Sequence, residues 1–490
     1  MSARRTRWPV TLAMIAATGL LAVAPCAHAF DVLRTEGGIS ATPAAEIVPD
    51  PAGCQFGPPA RPLLLAEAVE RALCSNPKTR EAWADVKAQA AAVGVARAAF
   101  LPTVSGNWQG VRDDSATDVS GHPELSSNTA ATVRSESVSL NWVLFDFGGR
   151  AAALRNASDL LAAARATQDA TLQNAFATVA KDYYAAQAAQ GAREAAADIE
   201  RMTQDSLVAA QARVDRDIAP ITDALQAQTQ HDEAVFNLTK AEGDAQTALG
   251  TLASNMGLDP DEPVIVPGVT AAPLPDPTYS ESVAEMIDEV KRTHPAVLAA
   301  QAQFEAAQAK VAQTRAEGLP NVSLVAKYSR NNQPASLGLG IPTFPATGHD
   351  AYIGVQVTIP FFEGFGRHYQ IRQADAEAQR QSDMADGTQQ QVALDVWANY
   401  QALNTATQNA THSETLLAIA RRSFDAAEHR YRAGVGNILE LLNTQTALAR
   451  AQQRRVQALA DWHNSKLQLA AKLGRLGMES IDDNAHPELR

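Results

Sequence analysis

The chain has 490 residues, a formal net charge of −13 and 6 % aromatic residues. That acidic balance excludes a nucleic-acid partner, which would need a basic face. Long Ala- and Gln-rich stretches with so few aromatics favour extended helices over a thick core.

Residues 1–29 read as a secretory signal peptide: a basic start (Arg4, Arg5, Arg7), an apolar run over residues 10–24, and "AHA" before Phe30. Cleavage is expected after Ala29. The run is shorter than the roughly 20 residues a spanning helix needs, which argues against an anchor. Cys26 leaves with the signal, because Pro25 fits a lipoprotein cleavage site badly. A Pro-rich leader follows over residues 30–62, and the exported chain keeps Cys54 and Cys74. In an oxidising compartment that even pair reads as a disulfide; without further ligands it is too small a set for a metal. No later stretch has the length of an apolar spanning helix, so the exported chain is either soluble or crosses a membrane as a β-barrel.

The rest is written twice. "LAEAVERALCSNPKTREAW" resembles "SVAEMIDEVKRTHPAVLAA", with Pro77 matching Pro295, and "RAAFLPTVSG" resembles "RAEGLPNVSL", with Pro102 matching Pro320. Arg150 matches Arg367, and "VDRDIAPITDALQAQT" matches "YRAGVGNILELLNTQT". The offset stays at about 217 to 218 residues, which marks an internal duplication. The two repeats cover residues 63–256 and 282–476, separated by a Pro-rich linker (257–281) and followed by a polar tail (477–490).

Each repeat opens on one helix, over 65–100 in the first, that ends before a proline. Two strands joined by a long polar loop follow. A helix of roughly 60 residues, about 100 Å long, comes next, then a break at 214–220 or 431–437 and a returning helix. The strands alternate. Val104, Gly106 and Trp108 oppose Ser105, Asn107 and Gln109; Val138, Leu140, Trp142 and Leu144 oppose Ser139 and Asn141. Val322, Leu324, Ala326 and Tyr328 oppose Ser323 and Lys327; Ile353, Val355 and Val357 oppose Gly354, Gln356 and Thr358. A soluble sheet with one buried face shows the same period. Trp108, Trp142, Tyr328 and Tyr352, on or near the apolar faces, suit an aromatic belt, and the small polar residues opposite suit a wet lumen. Four strands cannot close a barrel, so a barrel must be shared between chains; a dimer or a trimer would serve.

The signal peptide, the duplicated helix, the "LP" strand starts, the "FDFGGR" and "FFEGFGR" strand exits and the break "YRAGVGNILELLNTQT" together resemble the TolC-like outer membrane efflux proteins. The leader with its cysteine pair is similar to the branch serving type I protein secretion, which exports adenylate cyclase toxin. The resemblance implies an α+β membrane protein. It would be a homotrimer whose twelve-stranded outer membrane β-barrel, four strands per chain, continues into a long periplasmic α-helical barrel. It also implies a passive exit duct whose partners are a periplasmic adaptor (membrane fusion) protein, an inner-membrane ABC or proton-driven transporter, and outer membrane lipid.

The helix breaks then become periplasmic hairpin turns, with Val214, Asp217, Gly434 and Gly436 as adaptor contacts. By the same resemblance Glu440 and Asn443 match two acids of a gate ring, Tyr431 a linking tyrosine, and Thr222 with Asp223 a pair on the other hairpin. Asn443 replaces an acid, and Gly436 stands where a linking arginine would be. Read from the residues alone, Glu440 and Asp223 are solvated carboxylates near helix starts, where negative charge suits the dipole.

No enzyme, cofactor or metal is expected. The ten His are scattered without His-Glu-x-x-His spacing, and the glycines of "FDFGG" lack a phosphate-binding fingerprint. The competing reading is a periplasmic coiled-coil structural or adhesive protein with no channel, which leaves the repeated strand pairs unexplained.

Overall fold

The computed structural model describes residues 31–45, 47, 54–59, 61–268, 282–333, 344 and 346–476. The expected signal peptide, parts of the leader, residues 269–281 of the linker and the polar tail lie outside the described residues.

The first repeat runs α1 (Leu65–Ser75), α2 (Pro77–Ala98), β1 (Thr103–Thr117), β2 (Ser127–Phe145), α3 (Gly149–Val214) and α4 (Ile221–Asn255). The second runs α5 (Val283–Thr293), α6 (Pro295–Ala316), β3 (Asn321–Asn331), β4 (Gly348–Thr358), α7 (Gly366–Arg432) and α8 (Ile438–Lys472). The single opening helix expected over 65–100 is therefore two helices. Pro77 holds Asn76 in extended backbone, and the Asn76 side chain accepts from the Lys78 amide to cap α2. His294 and Pro295 repeat the break before α6.

The long helices α3 and α7 have 66 and 67 residues, about 100 Å each. α3 packs against α2, α4, α6 and α8, while α7 packs against α5, α6 and α8. Most buried positions along them are alanine, which lets the helix axes approach closely. Bulkier cores form where α1, α3 and α4 meet around Phe176, Leu172 and Leu252, and where α5, α7 and α8 meet around Met286 and Leu469. The Cys54–Cys74 disulfide ties the leader to α1, with Cα atoms 5.3 Å apart.

The strands form one antiparallel sheet in the order β1-β2-β3-β4. β1 and β2, at 15 and 19 residues, are longer than expected, and they pair continuously out to Thr117↔Ser127. Most of the expected polar loop is thus a two-stranded ribbon. Side-chain alternation stops at Arg112, Asp113 and Asp114, but the backbone ladder needs no apolar face to continue.

Register confirms the two faces. On one, Val104, Leu140 and Ala326 lie side by side, as do Gly106, Val138 and Tyr328. On the other, Ser105 and Ser139 share a 2.8 Å hydroxyl hydrogen bond. One belt residue falls on the wrong side: Tyr352 pairs with Lys327, so its alternation places it with Gly354 and Gln356 rather than with Ile353.

Each repeat leaves the sheet through two successive residues in left-handed backbone. These are Phe147 (φ 50°) and Gly148 (φ 90°), then Gly364 (φ 60°) and Phe365 (φ 63°). Gly149 and Gly366 then start α3 and α7. The bend is fixed by an ion pair: Arg150 meets Asp146 at 3.1 Å and donates to the Val143 carbonyl at 2.6 Å, while Arg367 meets Glu363 and Glu317, each at 3.0 Å.

A Cβ at position 148 meets no neighbour, so Gly148→Ala isolates the backbone penalty of left-handed geometry. It should lower unfolding free energy by about 1–2 kcal/mol, measured by denaturant titration of the purified protein; an unchanged midpoint would show the bend to be unstrained.

The two repeats differ at their caps. His294 Nδ1 accepts from the Ala296 amide at 3.2 Å, beside an ion pair of Lys472 with Asp395 at 2.8 Å. Burial, and then Lys472, hold the imidazole below its ordinary 6.5, with Asp395 opposing. A depressed histidine favours the folded state only while neutral, so this contribution is full above pH 6.5 and falls away as the pH drops below it. Thermal stability should therefore decline on acidification below that point, and His294→Asn, which copies Asn76, should flatten that part of the profile.

Candidate functional site

At the ends of the long helices away from the sheet, two turns lie side by side. The first joins α3 to α4 and turns on Asp217 (φ 57°); the second joins α7 to α8 and turns on Gly434 (φ 78°). Asp217 and Gly434 are equivalent across the duplication, and short polar Asp is among the few residues that tolerate this geometry. The amide of Asp217 donates to the Val214 carbonyl, and that of Gly434 to the Tyr431 carbonyl. Gly436 serves differently from Gly434. Its φ is not left-handed; a Cβ there would lie 2.9 Å from the Tyr431 nitrogen, so glycine is needed for close approach.

Tyr431 is 3 % exposed in a small core with Ile438, Leu441 and Phe424. Arg213, from the end of α3, reaches across to it. Its Nη1 donates to the Tyr431 carbonyl at 2.9 Å, and its guanidinium lies 4.7 Å from the ring centroid. The Tyr431 hydroxyl is buried and has no hydrogen-bond partner among the described residues. Burial is the main reason its acidity is weakened, the nearby Asp223 carboxylate adds to this, and Arg213 opposes it.

Glu440 sits in the first turn of α8, where the Asn437 side chain caps its amide at 2.7 Å. Its carboxylate is half-exposed and meets Arg430 at 3.5 Å. Asn443 and Thr222 are exposed and separate from these contacts, and Val214 closes α3.

The structure thus brings together Tyr431, Asp223 and Arg213, and separately Glu440 and Arg430. Both arginines escaped the sequence reading, which looked for a link at position 436. Their signal was the duplication itself. Arg213 and Arg430 are repeat equivalents, as are Asp223 and Glu440. In the second hairpin the equivalent pair bonds to itself. In the first, Arg213 turns from Asp223 to Tyr431, and the two hairpins become joined.

Where sheet meets helices, the polar face opens on a space lined by Asn141, Ser323, Gln356 and Thr358, with Asp146, Arg150 and Glu317 below them. The lining passes from strands to helices and also includes the apolar Val143, Leu319 and Val325.

Residues 68–258 and 286–475 match the family model described as outer membrane efflux protein. The chain is 32 % identical over 463 residues to Protein CyaE of Bordetella pertussis, covering 93 % of this chain and 94 % of that one. It is 26 % identical over 421 residues to the outer membrane efflux protein BepC of Brucella suis, covering 85 % and 86 %. The crystal structure of the outer membrane protein VceC from Vibrio cholerae matches with a TM-score of 0.71 at 20 % identity, covering 84 % of this chain and 96 % of that one. The chain therefore belongs to the outer membrane efflux protein family, channels that sit in the outer membrane and extend into the periplasm.

Proposed function

We propose that this chain is the exit duct of a tripartite export system, assembled as a homotrimer whose twelve strands close one barrel and whose helices line a periplasmic tunnel. The observation that carries this reading is the level at which the outer face turns from apolar to charged. Trp108, Glu136, Arg330 and His349 lie in one row across all four strands, and below it the face stays apolar down to Phe145. Nine residues of β2 span about 30 Å along the strand. Tilted by about 40°, that gives a band near the ~25 Å of outer membrane barrels. Trp108 and Tyr328 then lie toward its outer edge, and Trp142 with the phenylalanines of the joint toward its periplasmic edge.

Cargo would arrive through a periplasmic adaptor docked at the turns carrying Val214, Asp217, Gly434 and Gly436, driven by an inner-membrane ABC or proton-driven transporter. The resemblance of the leader and its cysteine pair to the type I secretion branch favours protein cargo. A relative described as the pyoverdine export outer membrane protein OpmQ of Pseudomonas aeruginosa, 28 % identical over 416 residues, favours a small-molecule load as the second reading.

The purified protein should fractionate with outer membranes and migrate as a trimer that heat converts to monomer; a soluble monomer would falsify the duct reading.

In this reading the tip is the closed entrance, with Tyr431, Asp223 and Thr222 on the links between hairpins and Glu440 and Asn443 facing the mouth. Arg430 partly neutralises the ring that Glu440 forms. Charge at a narrow mouth sets which ions pass. In planar bilayers Glu440→Ala should raise conductance and weaken block by divalent cations, whereas Arg430→Ala should strengthen that block. If both variants conduct like the parent, the ring does not control the entrance.

A further inference from the structure

From the row of Trp108, Glu136, Arg330 and His349 outward, the face that is apolar below turns basic. Arg330 stands on β3 in the row itself. Arg134 stands two residues further out on β2, about 7 Å along the strand, and Arg112 stands four residues beyond Trp108 on β1. Glu136 pairs with Arg330, Gly110 with Arg134 and Arg112 with Thr132, so the three arginines are successive diagonal neighbours on one face. Long side chains reach one another across such diagonals. All three are exposed.

The backbone under them is fixed. Where the β2–β3 ladder ends at Asn331, Asn332 carries the pairing one step further: its amide donates to the Arg134 carbonyl at 3.2 Å, and its side-chain oxygen accepts from the Arg134 amide. Its side-chain nitrogen donates to the Thr132 carbonyl at 3.1 Å. The three guanidinium groups themselves have no ion pair or hydrogen bond among the described residues. Two carboxylates share the face, Glu136 opposite Arg330 and Asp114 beyond Arg112. Neither pairs with an arginine, and the patch keeps a net positive charge.

The other edge of the apolar band is different. Below the row, the apolar face of the four strands has no Lys or Arg, and the arginines of the joints are engaged, Arg150 by Asp146 and Arg367 by Glu363 and Glu317. Unpaired positive charge thus marks one edge only. The headgroup layer on each side of a bilayer is about 5–8 Å deep, and Arg330 and Arg134 fall within it.

We infer that Arg134 and Arg330, with Arg112 reaching down from above, bind the phosphate groups of a phosphorylated glycolipid of the outer leaflet, whose acyl chains lie against Val138, Leu140 and Tyr328. Guanidinium groups match phosphate oxygens bidentately. A headgroup with phosphomonoesters carries more charge than a phosphodiester lipid, which suits an edge that gathers three guanidinium groups where the other offers none. The site rests on the apolar face being the lipid face of the duct and adds a headgroup specificity to it.

The test uses the full exported chain, purified as its trimer, stripped of lipid in detergent and titrated with lipid A in mixed micelles. Lipid A should bind more tightly than phosphatidylglycerol, and inorganic phosphate should not displace it. Arg134→Gln with Arg330→Gln should weaken lipid A binding at least about tenfold, the loss of one charge-assisted hydrogen bond. Either change alone should weaken it by a smaller factor, and serves where the pair does not assemble. Lys327→Gln, on the opposite face of β3, should leave binding unchanged. Unheated gels show whether each variant is still a trimer. A trimeric glutamine variant that binds lipid A like the parent would overturn the site, as would an equal loss in Lys327→Gln. Phosphatidylglycerol bound as tightly as lipid A would overturn the glycolipid and leave a general anionic-lipid edge. In each of these outcomes the duct stands; a chain that never forms a membrane trimer overturns both.

Discussion

The backbone of β1 and of β4 sets the terms for everything else. Each pairs with one neighbour only, so each leaves a row of amide and carbonyl groups unsatisfied on its far side. In hydrocarbon an unpaired backbone group costs several kcal/mol, and an 11-residue edge such as β4 carries several of them. A sheet with one apolar face and two open edges has no stable monomeric arrangement in a bilayer. In the proposed duct, closure with other copies satisfies these edges, and the helices would share its symmetry. The polar lining continues from Gln356 and Thr358 to Asp146 and Glu317 because the same chain passes from one wall to the other through the joints.

The tip shows how a duplicated plan acquires a directional function. Arg213 and Arg430 began as the same position, as did Asp223 and Glu440. Had both pairs stayed self-contained, the two hairpins would have been independent rods. By leaving Asp223 for the carbonyl and ring of Tyr431, Arg213 couples the end of α3 to the end of α7, and it leaves a carboxylate beside a buried phenol that has no hydrogen-bond partner among the described residues. Movement of one hairpin therefore disturbs the Arg213–Tyr431 contact, in which the Arg430–Glu440 pair takes no part.

Much of this was legible in the residues. Period two at Val138, Leu140 and Trp142 gave the strand faces, Pro102 and Pro320 gave the helix ends, and the recurrence of short motifs gave the two-fold plan. What escaped shares a physical cause. The outer halves of β1 and β2 pair through backbone alone, so Asp113 and Asp114 read as loop. Asn76 and His294 break the helices just before Pro77 and Pro295, and because proline is well tolerated in a first helical turn, each break reads as continuous helix. Tyr352 was assigned by residue type, where its parity along β4 would have placed it correctly. Arg213 acts across about 218 residues of sequence, and no local pattern announces such a contact.

The joints carry a lesson about descent. Both need two left-handed residues in succession where strand gives way to helix, and both use one glycine and one phenylalanine, yet in opposite order: Phe147 before Gly148, Gly364 before Phe365. The two repeats share the composition of the dipeptide and differ in its order. The bend can evidently place its aromatic at either step so long as the other step is relieved of a side chain. Comparing the two repeats position by position would miss the match, although the pair, taken together, occurs in both.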